Sequence, residues 1–122
     1  MAKTIRLLTP QLEETLRDFP LYSQDSKGDK ALCLAIFALG STRWFIIEGE
    51  RQGDDYVLYG IVTGLHYDEY GYMSLKELSE LAIDVGEFGK LQVRMQQNFT
   101  PVELGRLKDY RLQSFLRKFA LN

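Results

Sequence analysis

The apolar positions along this chain change their spacing several times, and each change marks an element. Thr9-Pro10 sets a capping hydroxyl before a proline suited to a first helical turn, and Leu12 and Leu16 recur at i, i+4 until Phe19-Pro20. That spacing predicts a short helix over 10–18. Residues 30–39 are almost continuously apolar between Gly28-Asp29 and Gly40-Ser41-Thr42, as expected of a strand covered on both faces. Strands follow over 43–48 and 56–63, joined by a hairpin loop over 50–55 in which Gly53 can take positive φ. A fourth strand is expected over 67–72, and the alternation Leu91, Val93, Met95 predicts a late one over 91–97.

Ser74 and Glu77 have capping-box spacing, and Met73 and Leu78 can staple it, so a helix is expected over 75–83. The same grammar at Phe99-Thr100-Pro101 predicts a helix over 101–119 with Leu112, Phe115, Leu116 and Phe119 as its buried stripe. The order helix, several strands, helix, strand, helix indicates an α+β fold. The expectation is a single domain over 1–122, with an antiparallel sheet of about four to five strands on about three helices.

Composition narrows the classes. A chain of 122 residues with 45% apolar and 26% charged side chains is ordinary for a globular domain, which excludes disorder, collagen and repeat arrays as whole-chain readings. The single cysteine, Cys33, lies in an apolar run and has no partner for a disulfide, which favours a reducing compartment such as the cytoplasm. One Cys and one His, His66, make no conventional zinc site. No apolar stretch approaches the roughly 18 residues that span a bilayer, and residues 1–6 carry no long apolar region after their charges. Neither a cofactor nor a membrane partner is expected.

The net charge of -2 is a cancellation. Residues 48–87 carry ten acidic and two basic side chains, whereas residues 88–122 carry seven basic and two acidic. Glu48, Glu50, Asp54, Asp55, Asp68 and Glu69 flank strand ends expected to be neighbours. They read as a solvated rim, as a protein-binding surface, or as a metal or acid/base site. No EF-hand spacing or accompanying basic motif favours the last. Tyr56, Tyr67 and Tyr70, amid those carboxylates, suit an interface that offers rigid amphipathic anchors to a basic partner. Base stacking on the sheet would need a positive groove, and this region is acidic.

A second candidate surface is the basic set Arg94, Arg106, Lys108, Arg111, Arg117 and Lys118, most of it on an amphipathic C-terminal helix over 105–122, which would contact nucleic acid directly. His66 is the default proton shuttle of any enzymatic reading, with a surface histidine as the plainer one. Cys33 sits among apolar residues unsuited to a nucleophile, and capping accounts for Ser74.

Leu7-Leu8-Thr9-Pro10, Pro20-Leu21-Tyr22, Trp44-Phe45 with Glu48, Tyr59-Gly60-Ile61-Val62-Thr63-Gly64, Glu69-Tyr70-Gly71-Tyr72-Met73-Ser74-Leu75-Lys76-Glu77-Leu78 and Phe99-Thr100-Pro101 follow one another in an order that resembles the domain-of-unknown-function family numbered 2958. The resemblance spans roughly residues 6–104. It implies no activity, but it implies a context: cargo proteins of bacterial plasmids, conjugative elements and phages, found with antirestriction and single-strand-handling genes. The chain departs from the family at Arg94-Met95-Gln96-Gln97-Asn98, where members commonly carry an acidic residue, and its basic tail from Gly105 reads as an addition. Together these readings predict a non-catalytic protein of a mobile genetic element that inhibits a host defence nuclease, of anti-CRISPR or antirestriction type, through the acidic, tyrosine-rich surface. A nucleic-acid-binding accessory protein of plasmid or phage maintenance is the alternative, and a carboxylate metal-dependent hydrolase stands last.

Overall fold

The computed structural model describes residues 4–120. The first three residues of the N-terminal reading, and the last two of the predicted 105–122 helix, lie outside the described residues. The chain forms α1 (Pro10–Arg17), β1 (Leu32–Cys33), β2 (Ala35–Leu39), β3 (Thr42–Gln52), β4 (Asp55–Thr63), β5 (Glu69–Ser74), α2 (Leu75–Glu80), β6 (Ala82–Asp84), β7 (Lys90–Gln92), β8 (Arg94–Met95), β9 (Val102–Glu103) and α3 (Tyr110–Ala120). Five strands make an antiparallel sheet in the order β5-β4-β3-β2-β8, and β1–β9 and β6–β7 form separate two-stranded ladders. The fold is α+β.

Local signals act as their chemistry dictates in α1 and α2. The Thr9 hydroxyl accepts from Leu12 N at 3.1 Å, and the Ser74 hydroxyl accepts from Glu77 N at 3.0 Å. At Thr100-Pro101 the same grammar does not start a helix. Val102 and Glu103 pair instead with Cys33 and Leu32, and a single 3-10 turn over Leu104–Arg106 follows. The last helix begins only at Tyr110, where the Asp109 carboxylate accepts from Leu112 N at 2.9 Å. The apolar run 30–39 also divides. Leu34 N donates to Ile46 O at 2.7 Å, while β1 leaves the sheet to meet β9. The late strand divides as well: β7 folds back on β6 as a separate hairpin, and only Arg94–Met95 joins the sheet, on β2.

Alternating side chains give the sheet two buried faces. On one, Leu12 and Leu16 of α1 and Leu75 and Leu78 of α2 pack on Phe37, Trp44, Ile46, Tyr56 and Leu58. On the other, Leu104 and the α3 residues Leu112 and Leu116 pack on Cys33, Ile36, Phe45, Ile47 and Ile61. The basic C-terminal helix therefore packs into the second core through Leu112 and Leu116.

A bulge at Ile47 shifts the β3–β4 register, so that Ile46 faces Gly60 and Glu48 faces Tyr59. This puts Glu48 on the α3 side of the sheet, a side that unbroken alternation would deny it. A Cβ on Gly60 would meet the Phe45 carbonyl oxygen at 1.9 Å, so only glycine permits the bulge there.

Candidate functional site

The predicted carboxylates do not converge. Asp54 and Asp55 stand at one end of β4 and Asp68 beyond the other, which at about 3.3 Å per residue puts roughly 25 Å between the two groups. Most are also engaged within the chain. Glu48 is 1% exposed, and its two oxygens accept from Tyr22 N at 2.8 Å and Gln24 N at 2.7 Å. Glu50 accepts from Leu21 N at 3.1 Å. The Gln24 side chain completes this anchor by bridging Leu32 and Ile47 through their backbone groups. Both glutamates thus hold the segment after α1 against β3, where Gly49 N also donates to Phe19 O at 3.0 Å.

Asp55 ties the start of α2, accepting from the Ser74 hydroxyl and from Lys76 N at 3.0 Å. Burial opposes its ionisation, but these hydrogen bonds prevail and hold its carboxyl below the ordinary value. Asp54 pairs with Lys76 at 3.1 Å and Asp68 with Arg111 at 2.8 Å, and each cation lowers the pKa of its partner. Among the described residues the Glu69 side chain makes no ion pair or hydrogen bond and is exposed. Tyr56 is buried on the α1 side, where its hydroxyl donates to Glu13 at 2.8 Å beneath Arg51.

The structure brings together a different set. Tyr59 of β4 stands opposite Tyr72 of β5, and the period of two puts Tyr70 on the same face. Tyr72 meets Tyr59 at 4.7 Å between ring centroids, and Tyr59 stacks on Tyr70 at 5.8 Å. Tyr70 then meets Phe115 at 5.5 Å and Phe119 at 5.0 Å. Tyr22 extends the strip at its other end, and its nearby hydroxyl is the main cause that pushes the Tyr72 hydroxyl up to about 12. Six aromatic side chains thus run from the post-α1 segment across edge strand β5 to the end of α3. Tyr22, Tyr72 and Phe119 remain 64%, 56% and 57% exposed.

Of the expected carboxylates Glu48 lies beside this strip and, behind burial, raises the Tyr59 pKa; two others near it, Asp25 and Asp29, were not expected. Asp25 acts on Tyr59 and Tyr72, and Asp29 on Tyr70, each raising the tyrosine pKa behind larger causes. Sequence reading assigns no functional role to Asp25 or Asp29, marks Tyr22 only as part of the family resemblance, and puts Phe119 in the buried stripe of the last helix, where it is instead exposed. The signal for the strand portion was present in Tyr70-x-Tyr72, whose period places both rings on one face. Nothing local announced Tyr22, whose φ of 74° is set by the Glu48 anchor.

The basic set is dispersed. Arg94 lies on β8, at the sheet edge opposite β5, and Arg106 pairs with Glu103 at 3.6 Å. Lys108 precedes α3, and Arg117 and Lys118, consecutive on α3, point about 100° apart. Arg111 and Lys118 do meet members of the acidic set: with His66, Tyr67, Asp68, Tyr110, Ser114 and Phe115 they line a cavity of about 610 Å³ between the β4–β5 turn and α3. Among the described residues no group of three or more His, Cys, Asp or Glu side chains could hold a metal ion. Cys33 is buried, and burial pushes its thiol up to about 12. No helix among the described residues is long and apolar enough to cross a membrane. Comparison with protein-family models, curated proteins and solved structures returns no match to this chain.

Proposed function

We propose that this chain is a non-catalytic interaction protein that docks on a protein partner through the strip of Tyr22, Tyr72, Tyr59, Tyr70, Phe115 and Phe119. The observation that carries this reading is the exposure of three large aromatic rings on a continuous, internally stacked support. Aromatic side chains bury much area on binding and lose little rotamer entropy, and rings already held by neighbours lose less. Asp25 and Asp29 give the surroundings of the strip a negative bias, which suits a basic partner surface.

The resemblance to proteins of mobile elements makes the partner class a host defence nuclease in the cytoplasm, whose nucleic-acid channel is basic. The protein would act by occupying that channel, with aromatic anchoring in the main role and carboxylates as the flanking charge. Purified defence nucleases assayed for cleavage with and without the protein test this. The reading requires inhibition by the wild-type chain that is lost in Tyr72→Ala/Phe119→Ala. Inhibition that survives that pair, or no inhibition of any nuclease tested, removes it.

A further inference from the structure

The cavity between the β4–β5 turn and α3 is separate from the exposed rings of the strip and has its own chemistry. Tyr67 and Tyr110, 67% and 85% exposed, present two rings at its rim. Tyr67 is braced by His66, edge-on at 4.5 Å. On α3, Arg111, Ser114, Phe115 and Lys118 recur at i, i+3, i+4, i+7, so a guanidinium, a hydroxyl, a ring and an ammonium line one wall. The Arg111–Asp68 pair uses only Nε of the guanidinium, at 2.8 and 3.1 Å to the two carboxylate oxygens. Its two terminal nitrogens make no hydrogen bond among the described residues. The pair ties down Nε of this lining residue and leaves the two-pronged donor edge open, the arrangement that suits a phosphate.

We infer that this groove binds a nucleobase carrying a phosphate, with the base on Tyr67 or Tyr110 and the phosphate on Arg111 and Lys118. The imidazole of His66 and the hydroxyl of Ser114 add polar groups to the same lining. A free nucleotide and a nucleotide of a single strand share this chemistry. A duplex does not, because its bases are already stacked on one another.

Backbone amide shifts of the full-length chain, titrated separately with adenosine monophosphate, a ten-residue oligothymidylate and inorganic phosphate, test the inference. Saturable shifts confined to residues 66–68 and 110–118 are expected with the nucleotide, the strand or both, and weaker ones with phosphate alone. Saturation by the strand alone identifies single-stranded nucleic acid as the source, and saturation by both identifies the nucleotide unit. Tyr67→Ala/Tyr110→Ala should weaken binding at least fivefold, and Lys118→Gln should flatten its salt dependence, with the fold intact since all three side chains are exposed. No saturable shift with either nucleotide probe, equal binding of phosphate alone, or variants that bind like the wild type would overturn it.

Discussion

The two faces of the sheet are closed to different degrees. The α1–α2 face is covered by two helices, and the polar groups at its margin are consumed there: Tyr56 and Arg51 on Glu13, and Asp55 on the start of α2. The other face has α3 as its one helix, with Leu104 beside it and the segment after α1 anchored on Glu48; α3 helps seal Phe45 and Ile61 and reaches Tyr70 of β5 but leaves Tyr72 exposed. Tyr59, Tyr70 and Tyr72 continue the hydrophobic layer past the helix into solvent. This cover closes the core but does not hide the strip, so the proposed interaction surface is the uncovered part of the second core.

If that comparison holds, the largest effect comes from removing the cover. Ending the chain before Gly105 should abolish cooperative unfolding in urea, because it strips Leu112 and Leu116 from the second core. Leu112→Ala alone should cost about 2–5 kcal/mol, as truncations of fully buried leucines do. A truncated chain that keeps its cooperative transition would mean that α3 is an appendage after all.

Tyr72→Ala with Phe119→Ala should cost a partner about 2 kcal/mol or more of affinity, the scale of an aromatic hot spot, while moving the urea midpoint far less than Leu112→Ala. Asp54→Asn, at the closed end of β4, should leave affinity unchanged. Equal losses from both would erase the difference between the two surfaces.

Acid sharpens the comparison next. Glu13, Asp54, Asp55 and Asp68 all have depressed folded pKa values, so their stabilising contributions are complete above the ordinary carboxylate value of about 4 and are lost as pH falls through the folded values. Unfolding followed from pH 7 to about pH 2 should show this loss. Asp68→Asn should reduce it by removing the only anchor of the four that ties β4–β5 to α3.

The smallest effect concerns Cys33. A thiol raised to about 12 in the second core should react with a disulfide reagent only as fast as the protein opens. Fast labelling of the native protein would show that this face is less sealed than described.

Much of this fold was legible where local chemistry and tertiary demand coincide, as at Thr9, Ser74 and the alternating strands. Phe99-Thr100-Pro101 misled because strand pairing with β1 outweighs a capping preference worth about 1 kcal/mol. The split of 30–39 and the β6–β7 hairpin depend on which strand is next door, which no window of sequence contains. The site was half legible. Tyr70 and Tyr72 follow from a period of two, but the carboxylates seemed available because charge was counted along the chain. Lys76, Arg111 and the amides of residues 21–24 claim most of them, and only the fold shows that. Five of the six carboxylates that the charge pattern singled out are therefore internal wiring.

The most direct test puts a photo-crosslinking residue at position 72 and, in separate proteins, at positions 54 and 83, in cells carrying a defence nuclease that the chain inhibits. The account predicts that position 72 crosslinks to that nuclease and that position 54, at the closed end of β4, and position 83, on the β6–β7 hairpin, do not. Crosslinking from position 54 or 83 with none from 72 would contradict it.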